Sequence, residues 1–304
     1  MSEPPSPAAA AHLPVLADPV AEYLLANGPA VIVDATLGLG GHAERLLRDR
    51  PELRIIGLDV DHANLESARE RLDPVAERVT TRQANFAELR TLLDDLGVDA
   101  VDGILADLGF STNQMADSSR GLSFELDGPL DMRLDRRLGQ TAADLVNGLS
   151  EGQLADLLYL QSQERHSRKI SRRICQVRRQ GRINSTLQLA RLVASAVAGR
   201  SAASRFRIHP ATRTFMALRM AVNHEIESLA ALLEQAPECL KSGGRVAIIS
   251  FHSGEDRRVK EDFRDRALRR VYRPITKKPV TPTDEEARVN PRSRSAKLRV
   301  AERL

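Results

Sequence analysis

The chain of 304 residues contains no tryptophan, and phenylalanine and tyrosine together bring the aromatic content to only 3%. Recognition of single strands by rows of stacked bases needs several rings, so that mode is disfavoured. Phosphate contact with one or two flipped bases stays open. Only two cysteines occur, Cys175 and Cys239, far apart and without CxxC spacing. That argues against a disulfide framework or a metal site, and it fits a reducing compartment, so a cytoplasmic protein is expected. No stretch approaches the ~18 apolar residues of a spanning helix, and no membrane contact is expected. Residues 1–11 are rich in Pro and Ala but lack a basic segment, which reads as a disordered tail and not a signal peptide. A formal net charge of +4 is too small to name a partner, so what matters is where the basic residues cluster.

What is present begins with Val31-Ile32-Val33-Asp34-Ala35-Thr36-Leu37-Gly38-Leu39-Gly40-Gly41-His42. A β-branched apolar run stops at an acid, a glycine-rich turn follows, and Ala43-Glu44-Arg45-Leu46-Leu47 starts a helical pattern. Strand, glycine turn and helix in that order form the nucleotide-binding corner of a doubly wound sheet. Gly38 and Gly40 can adopt positive φ and let a ligand approach the backbone. The next apolar run ends at Asp59, well set to take two ribose hydroxyls. The loop alone also fits a nicotinamide enzyme or an empty turn. Asp34 discriminates, because a carboxylate closing the first strand suits a ligand with an amine and repels a pyrophosphate.

Further strands are expected at 30–36, 54–58, 78–82 and 103–107, with helices between them. Phe86, after the third strand, reads either as a ring stacked on a purine or as a core cap. From 113 to 212 the pattern is helix and loop without a convincing strand, and then one long helical region runs over 214–240. Arg245 to Phe251 reads as a buried strand, and residues 298–301 as an edge strand closing the sheet. The division is therefore a tail at 1–11, one domain from 12–112 and 213–304, and an inserted all-helical domain at 113–212.

The insert carries Arg165, Arg168, Lys169, Arg172, Arg173, Arg178, Arg179 and Arg182 on or beside one helix, with Ile170, Ile174 and Val177 as its apolar stripe. Only Glu164 opposes that charge in the local sequence. Like charges at i,i+4 repel, so such a helix points to a polyanion and favours a nucleic-acid surface over a merely solvated face. Arg292, Arg294 and Lys297 near the end are either RNA contacts or simply exposed.

Asp107-Leu108-Gly109-Phe110 stands at the end of the fourth strand, where such sheets place their chemistry. An exocyclic amine conjugated to its ring is a weak nucleophile. A carboxylate can accept its N–H and an aromatic can hold the base, which makes Asp107 and Phe110 the candidate catalytic residues. In Ser250-Phe251-His252-Ser253-Gly254-Glu255-Asp256, Ser253 is expected to cap a helix. His252 reads either as lining the site or as a structural hydrogen bond.

These blocks, together with Arg120-Gly121-x-Ser123-Phe124, Gly128-Pro129-Leu130-Asp131-Met132-Arg133, His209-Pro210-Ala211-Thr212-Arg213 and Asn290-Pro291-Arg292-Ser293-Arg294-Ser295, resemble the bacterial 16S rRNA (cytosine-N4) methyltransferases of the MraW/RsmH type over about 12–303. The resemblance implies a Rossmann-like α/β sheet that binds S-adenosylmethionine, with a helical insert that recognises RNA. It implies methyl transfer to the N4 amine of a cytidine in the decoding region of 16S rRNA, on the small ribosomal subunit. Carried over residue by residue, it adds Gly41, His42 and Gln114 to Asp34, Gly38, Gly40, Asp59, Phe86 and Asp107 as cofactor contacts. The chain departs from the family at Phe110, Thr112, Gln161, Gln163, Met216 and Gly254. Two other classes remain: an RNA-binding protein on a methyltransferase scaffold without turnover, and a nicotinamide dehydrogenase, which leaves the basic insert unexplained. The residues leave open whether the chain works alone or as a homodimer.

Overall fold

The computed structural model describes residues 14–198 and 209–304; the tail expected over 1–11 lies outside them. In chain order the elements are α1 (Ala17–Leu25), β1 (Val31–Asp34), α2 (Gly41–Asp49), β2 (Arg54–Asp59), α3 (His62–Leu72), β3 (Val79–Gln83), α4 (Leu89–Asp95) and β4 (Val101–Asp107). Next come α5 (Thr112–Ala116), α6 (Ala142–Gly148), α7 (Glu151–Ser162), α8 (Ser167–Val177), α9 (Thr186–Ala198), α10 (Thr212–Val222) and α11 (Glu225–Cys239). The last are β5 (Leu240–Ser250), α12 (Ser253–Leu268), β6 (Tyr272–Pro274), α13 (Asp284–Val289) and β7 (Lys297–Arg303). The described residues form two compact units, one of those up to 109 together with 227–304 and one of those between 110 and 226.

The first unit is a doubly wound sheet in the order β3-β2-β1-β4-β5-β7-β6. Neighbours from β3 to β5 run parallel, while β7 is antiparallel to both β5 and β6. The strands are apolar almost throughout because both faces are covered. Side chains alternate across a strand, so Ile32, Ile55, Leu105 and Ile249 enter one core with α1, α2 and α3. Val33, Ile56, Ile104 and Ile248 enter the other with α4, α11 and α12. Each fully buried Leu or Ile contributes about 1.5–3 kcal/mol, so these two layers hold the strand ends rigidly.

Three expectations need correction. The C-terminal strand is not an edge: β7 is sandwiched between β5 and β6, and β6, with only three residues, left no periodic signal. The helical run at 214–240 is two helices, broken where Asn223 leaves the helix and His224 turns left-handed at φ 50°. Ser253 is not the cap of α12. His252 is, its Nδ1 accepting from the Gly254 and Glu255 amides at 3.2 and 3.4 Å.

The second unit is helical, with α7 packed on α8 and α10 and α8 on α9. Its long loop is tied down by backbone groups. Asn223 accepts from the Leu134 amide at 2.7 Å and donates to the Met132 carbonyl at 2.8 Å. Among the described residues no helix is long and apolar enough to cross a membrane.

Candidate active site

The sheet order reverses between β1 and β4, which opens a crevice at their carboxyl ends. Asp34 ends β1 and Asp107 ends β4. Thr36 joins them, its Oγ1 accepting the Asp107 amide at 2.6 Å. Asp34 Oδ1 accepts the Thr36 amide at 3.2 Å, while its Oδ2 is buried without a partner. The first turn of α2 brings in His42, both of whose ring nitrogens are buried without a hydrogen bond. His42 Nε2 lies 3.6 Å from Asp107 Oδ2, close enough to feel its charge but too far for a hydrogen bond. Asp107 Oδ1 is also buried and unpartnered. Buried polar atoms are nearly always satisfied, so this cluster of orphans marks where a polar ligand belongs.

Asp59 is satisfied differently. Its Oδ2 accepts from the Gly38 amide at 2.8 Å and Asn64 at 3.3 Å, and its Oδ1 from the Asp61 amide at 2.8 Å. The contact with Gly38 ties the acid of β2 to the glycine turn. Burial pushes the Asp34 carboxyl up to about 6, although the nearby His42 and the Thr36 amide pull the other way. Burial likewise pushes Asp59 up to about 6 against the pull of its hydrogen bonds. Acids held near their titration point at strand ends in a crevice are a signature of a working site.

The glycines divide the labour. Gly38 and Gly40 both have positive φ, 55° and 78°. A Cβ on Gly38 would meet only the Thr36 carbonyl at 3.8 Å, so this is the open approach. A Cβ on Gly40 would sit 3.2 Å from Leu72 and 3.4 Å from Ala68, and one on Gly41 3.3 Å from Pro14. A side chain at Gly40 or Gly41 would press on that packing, whereas one at Gly38 would find room. Phe86 is half-buried and packs on the core beneath the sheet, immediately after Asn85 caps its turn.

Two predicted residues belong to the helical unit. Gln114 is buried in α5, where its Oε1 accepts the Ser111 amide at 2.9 Å and completes a capping box. The Phe110 ring lies beneath the Arg219 guanidinium, 4.7 Å from the ring centroid. Glu225 holds that guanidinium in a bidentate pair at 2.7 and 2.8 Å. This Phe110–Arg219–Glu225 set had no local sequence signal, since Phe110 stands more than one hundred positions before the other two.

His252 has a structural task. Besides capping, its Nε2 lies 3.2 Å from Glu255 Oε1, and Glu255 Oε2 accepts the Phe251 amide at 2.9 Å. Asp256 pairs with Arg299 at 2.7 Å and Lys297 at 3.1 Å, so Lys297 ties α12 to β7. Arg292 is half-buried, whereas Arg294 is exposed and donates to the Ala287 carbonyl at 3.3 Å. On α8 and the turn before it, Arg165, Arg168, Lys169, Arg172 and Arg173 are all exposed, with Ile170 and Ile174 buried behind them. Glu164 does not face them. It is buried, and it accepts the His166 amide at 2.8 Å. The neutralising acids come from α7 instead: Asp156 lies 3.5 Å from Arg168, and Glu151 3.5 Å from Arg172.

Residues 9–304 match the model of the MraW methylase family. The chain belongs to the MraW methylase family. A similar protein is the ribosomal RNA small subunit methyltransferase H of Cyanothece sp., 48% identical over 96% of this chain and 95% of its own length. The ribosomal RNA small subunit methyltransferase H of Sorangium cellulosum is also 48% identical, over 99% of this chain and 93% of its own length. Among solved structures, an rRNA methylase from Streptococcus thermophilus aligns over 95% of this chain and 93% of its own, with 12% identity and a TM-score of 0.42.

The methyl donor of this MraW methylase is S-adenosylmethionine. Its fit can be tested on the residues themselves. A cationic amine needs a buried acceptor, and Asp34 Oδ2 is one without a partner. A ribose needs a carboxylate at the end of β2, and Asp59 stands there. The residues fit the donor.

Proposed function

We propose that this MraW methylase methylates the N4 amine of a cytidine in the decoding region of 16S rRNA, presented in the small ribosomal subunit in the cytoplasm. The observation that carries the reading is the buried, unpartnered set of Asp34 Oδ2, His42 and Asp107 Oδ1 where β1 and β4 part. The names of the 48%-identical relatives support the RNA substrate. When bound, S-adenosylmethionine supplies an electrophilic methyl group. Asp34, Gly38, Gly40, Gly41, His42, Asp59, Phe86, Asp107 and Gln114 would hold it.

Asp107 has the chemistry the amine needs. Its Oδ1 accepts one N–H of the cytosine amine, drawing nitrogen electron density away from ring conjugation, and takes up the proton as the nitrogen gains its methyl group. His42 Nε2 beside Oδ2 steadies the carboxylate's charge. Phe110 follows three residues later and supplies an aromatic face for the base, while Arg219 and Glu225 hold its ring in place. Fixed geometry of this kind supplies much of the rate enhancement of methyl transfer. In this reading the helical unit is the RNA-recognition part, with Arg165, Arg168, Lys169, Arg172 and Arg173 binding phosphates and Arg292 and Arg294 contributing from the sheet unit.

The test uses small subunits and free 16S rRNA from cells lacking the enzyme, labelled donor, and mass identification of the product nucleoside. N4-methylcytidine formed on the subunit is the expected result. Label in another nucleoside, or in free rRNA alone, would overturn the assignment.

A further inference from the structure

Among the described residues of the helical unit, the one exposed aromatic among the large hydrophobics stands next to its basic face. Tyr159 is 56% exposed and its neighbour Leu160 76%, an unusual outlay of apolar surface on a short helix. Their direction follows from helix geometry. At about 100° per residue, Tyr159 points between Glu151 and Asp156 on α7. Those two acids reach across to Arg172 and Arg168 of α8. Tyr159 is thus on the α8 side of α7, one turn beyond Asp156. The chain reverses through 163–166, so that end of α7 is level with Arg165 and the start of α8. Lys169 and Arg173 are exposed cations one turn apart on α8, Arg165 is exposed in the turn before it, and the acids of α7 pair with Arg168 and Arg172 instead.

We infer that the α7–α8 face binds a single-stranded segment of RNA, with Tyr159 stacking on one base while Arg165, Lys169 and Arg173 bind the phosphates beside it. This rests on the reading of the helical unit as the RNA-recognition part. Single-stranded RNA is the occupant that matches both features: the cations are complementary to a backbone, and the ring is complementary to an unpaired base. Duplex RNA would use the cations and leave the ring idle. A protein partner would use Tyr159 and Leu160 but would have to bury the like-charged row. Arg168 and Arg172, paired at 3.5 Å, are the weaker contacts because RNA must compete with Asp156 and Glu151 for them.

The experiment compares full-length wild type, Tyr159→Ala, Tyr159→Phe and the triple change of Arg165, Lys169 and Arg173 to Ala. Each binds a short labelled RNA as single strand and as duplex, and circular dichroism confirms helix content. Tyr159→Ala is expected to weaken single-strand binding about fivefold or more and leave duplex binding unchanged, with Tyr159→Phe restoring it. The triple variant is expected to weaken both. If Tyr159→Ala binds the single strand as wild type does while the triple variant does not, stacking is overturned and the basic face stands. If the triple variant also binds as wild type does, the RNA reading of this face fails as well. If RNA binding is unchanged in Tyr159→Ala but association with small-subunit proteins is lost, the face is a protein dock and the inference is overturned.

Discussion

Asp34 is held in a conflict that only a ligand resolves. Folding buries it and raises its carboxyl to about 6, so in the ligand-free protein burial opposes the charge it carries at neutral pH. The sign follows directly. Its folded value lies above the ordinary 3.8, so the stability it contributes is full below pH 3.8 and is lost as pH rises through about 6. Asp34→Asn keeps the Oδ1 that accepts the Thr36 amide and removes the penalty. Ligand-free Asp34→Asn is therefore expected to melt higher than wild type at pH 7.5, with the difference shrinking toward pH 4. Its affinity for S-adenosylmethionine should fall by about tenfold or more, because a charged hydrogen bond is lost. Wild-type affinity should rise between pH 5 and pH 7, a slope that calorimetry would find shallower in the variant, where Asp59, also raised to about 6, still titrates. The acids at the strand ends were legible in the sequence because each directly follows an apolar run. The packing that confines Gly40 and Gly41 was not, because Leu72, Ala68 and Pro14 meet them only in three dimensions.

At the scale of elements, long apolar runs gave away β1, β2, β4 and β5, whose faces are both buried. What escaped notice was set by contacts elsewhere. β6 is three residues held by pairing with β7, and the break between α10 and α11 is held by Asn223 bonding the distant loop. The choice of His252 over Ser253 as cap depends on Glu255 folding back onto the Phe251 amide. The loop of the helical unit is as tightly built as the helices. A Cβ on Gly121, which has φ 64°, would lie 2.0 Å from the Pro129 carbonyl oxygen. Gly121→Ala is expected to cost about 3 kcal/mol, seen as early melting of the helical unit in denaturant while amide exchange in the sheet stays protected.

For the whole molecule, a net charge of +4 understates the basic face proposed to bind RNA, because acids elsewhere cancel its charge. Acids on α7, invisible as partners in the sequence, also trim that face from five free cations to three. Binding to single-stranded RNA should therefore weaken linearly in log–log plots against salt. Each of Arg165, Lys169 and Arg173 replaced by Ala should lower the slope by about 0.7, with a smaller change for Arg168 or Arg172. Binding that ignores salt would rule out the phosphate role.

Asp107 is proposed to work on the amine while the acids of β1 and β2 hold the donor. The deciding measurement is single-turnover methyl transfer to small ribosomal subunits, with donor affinity measured alongside for wild type and Asp107→Ala. The expected result is N4-methylcytidine from wild type and, at saturating donor, a rate at least about a hundredfold lower for Asp107→Ala, a loss larger than any fall in its donor affinity. Wild-type-like transfer by Asp107→Ala would contradict that role.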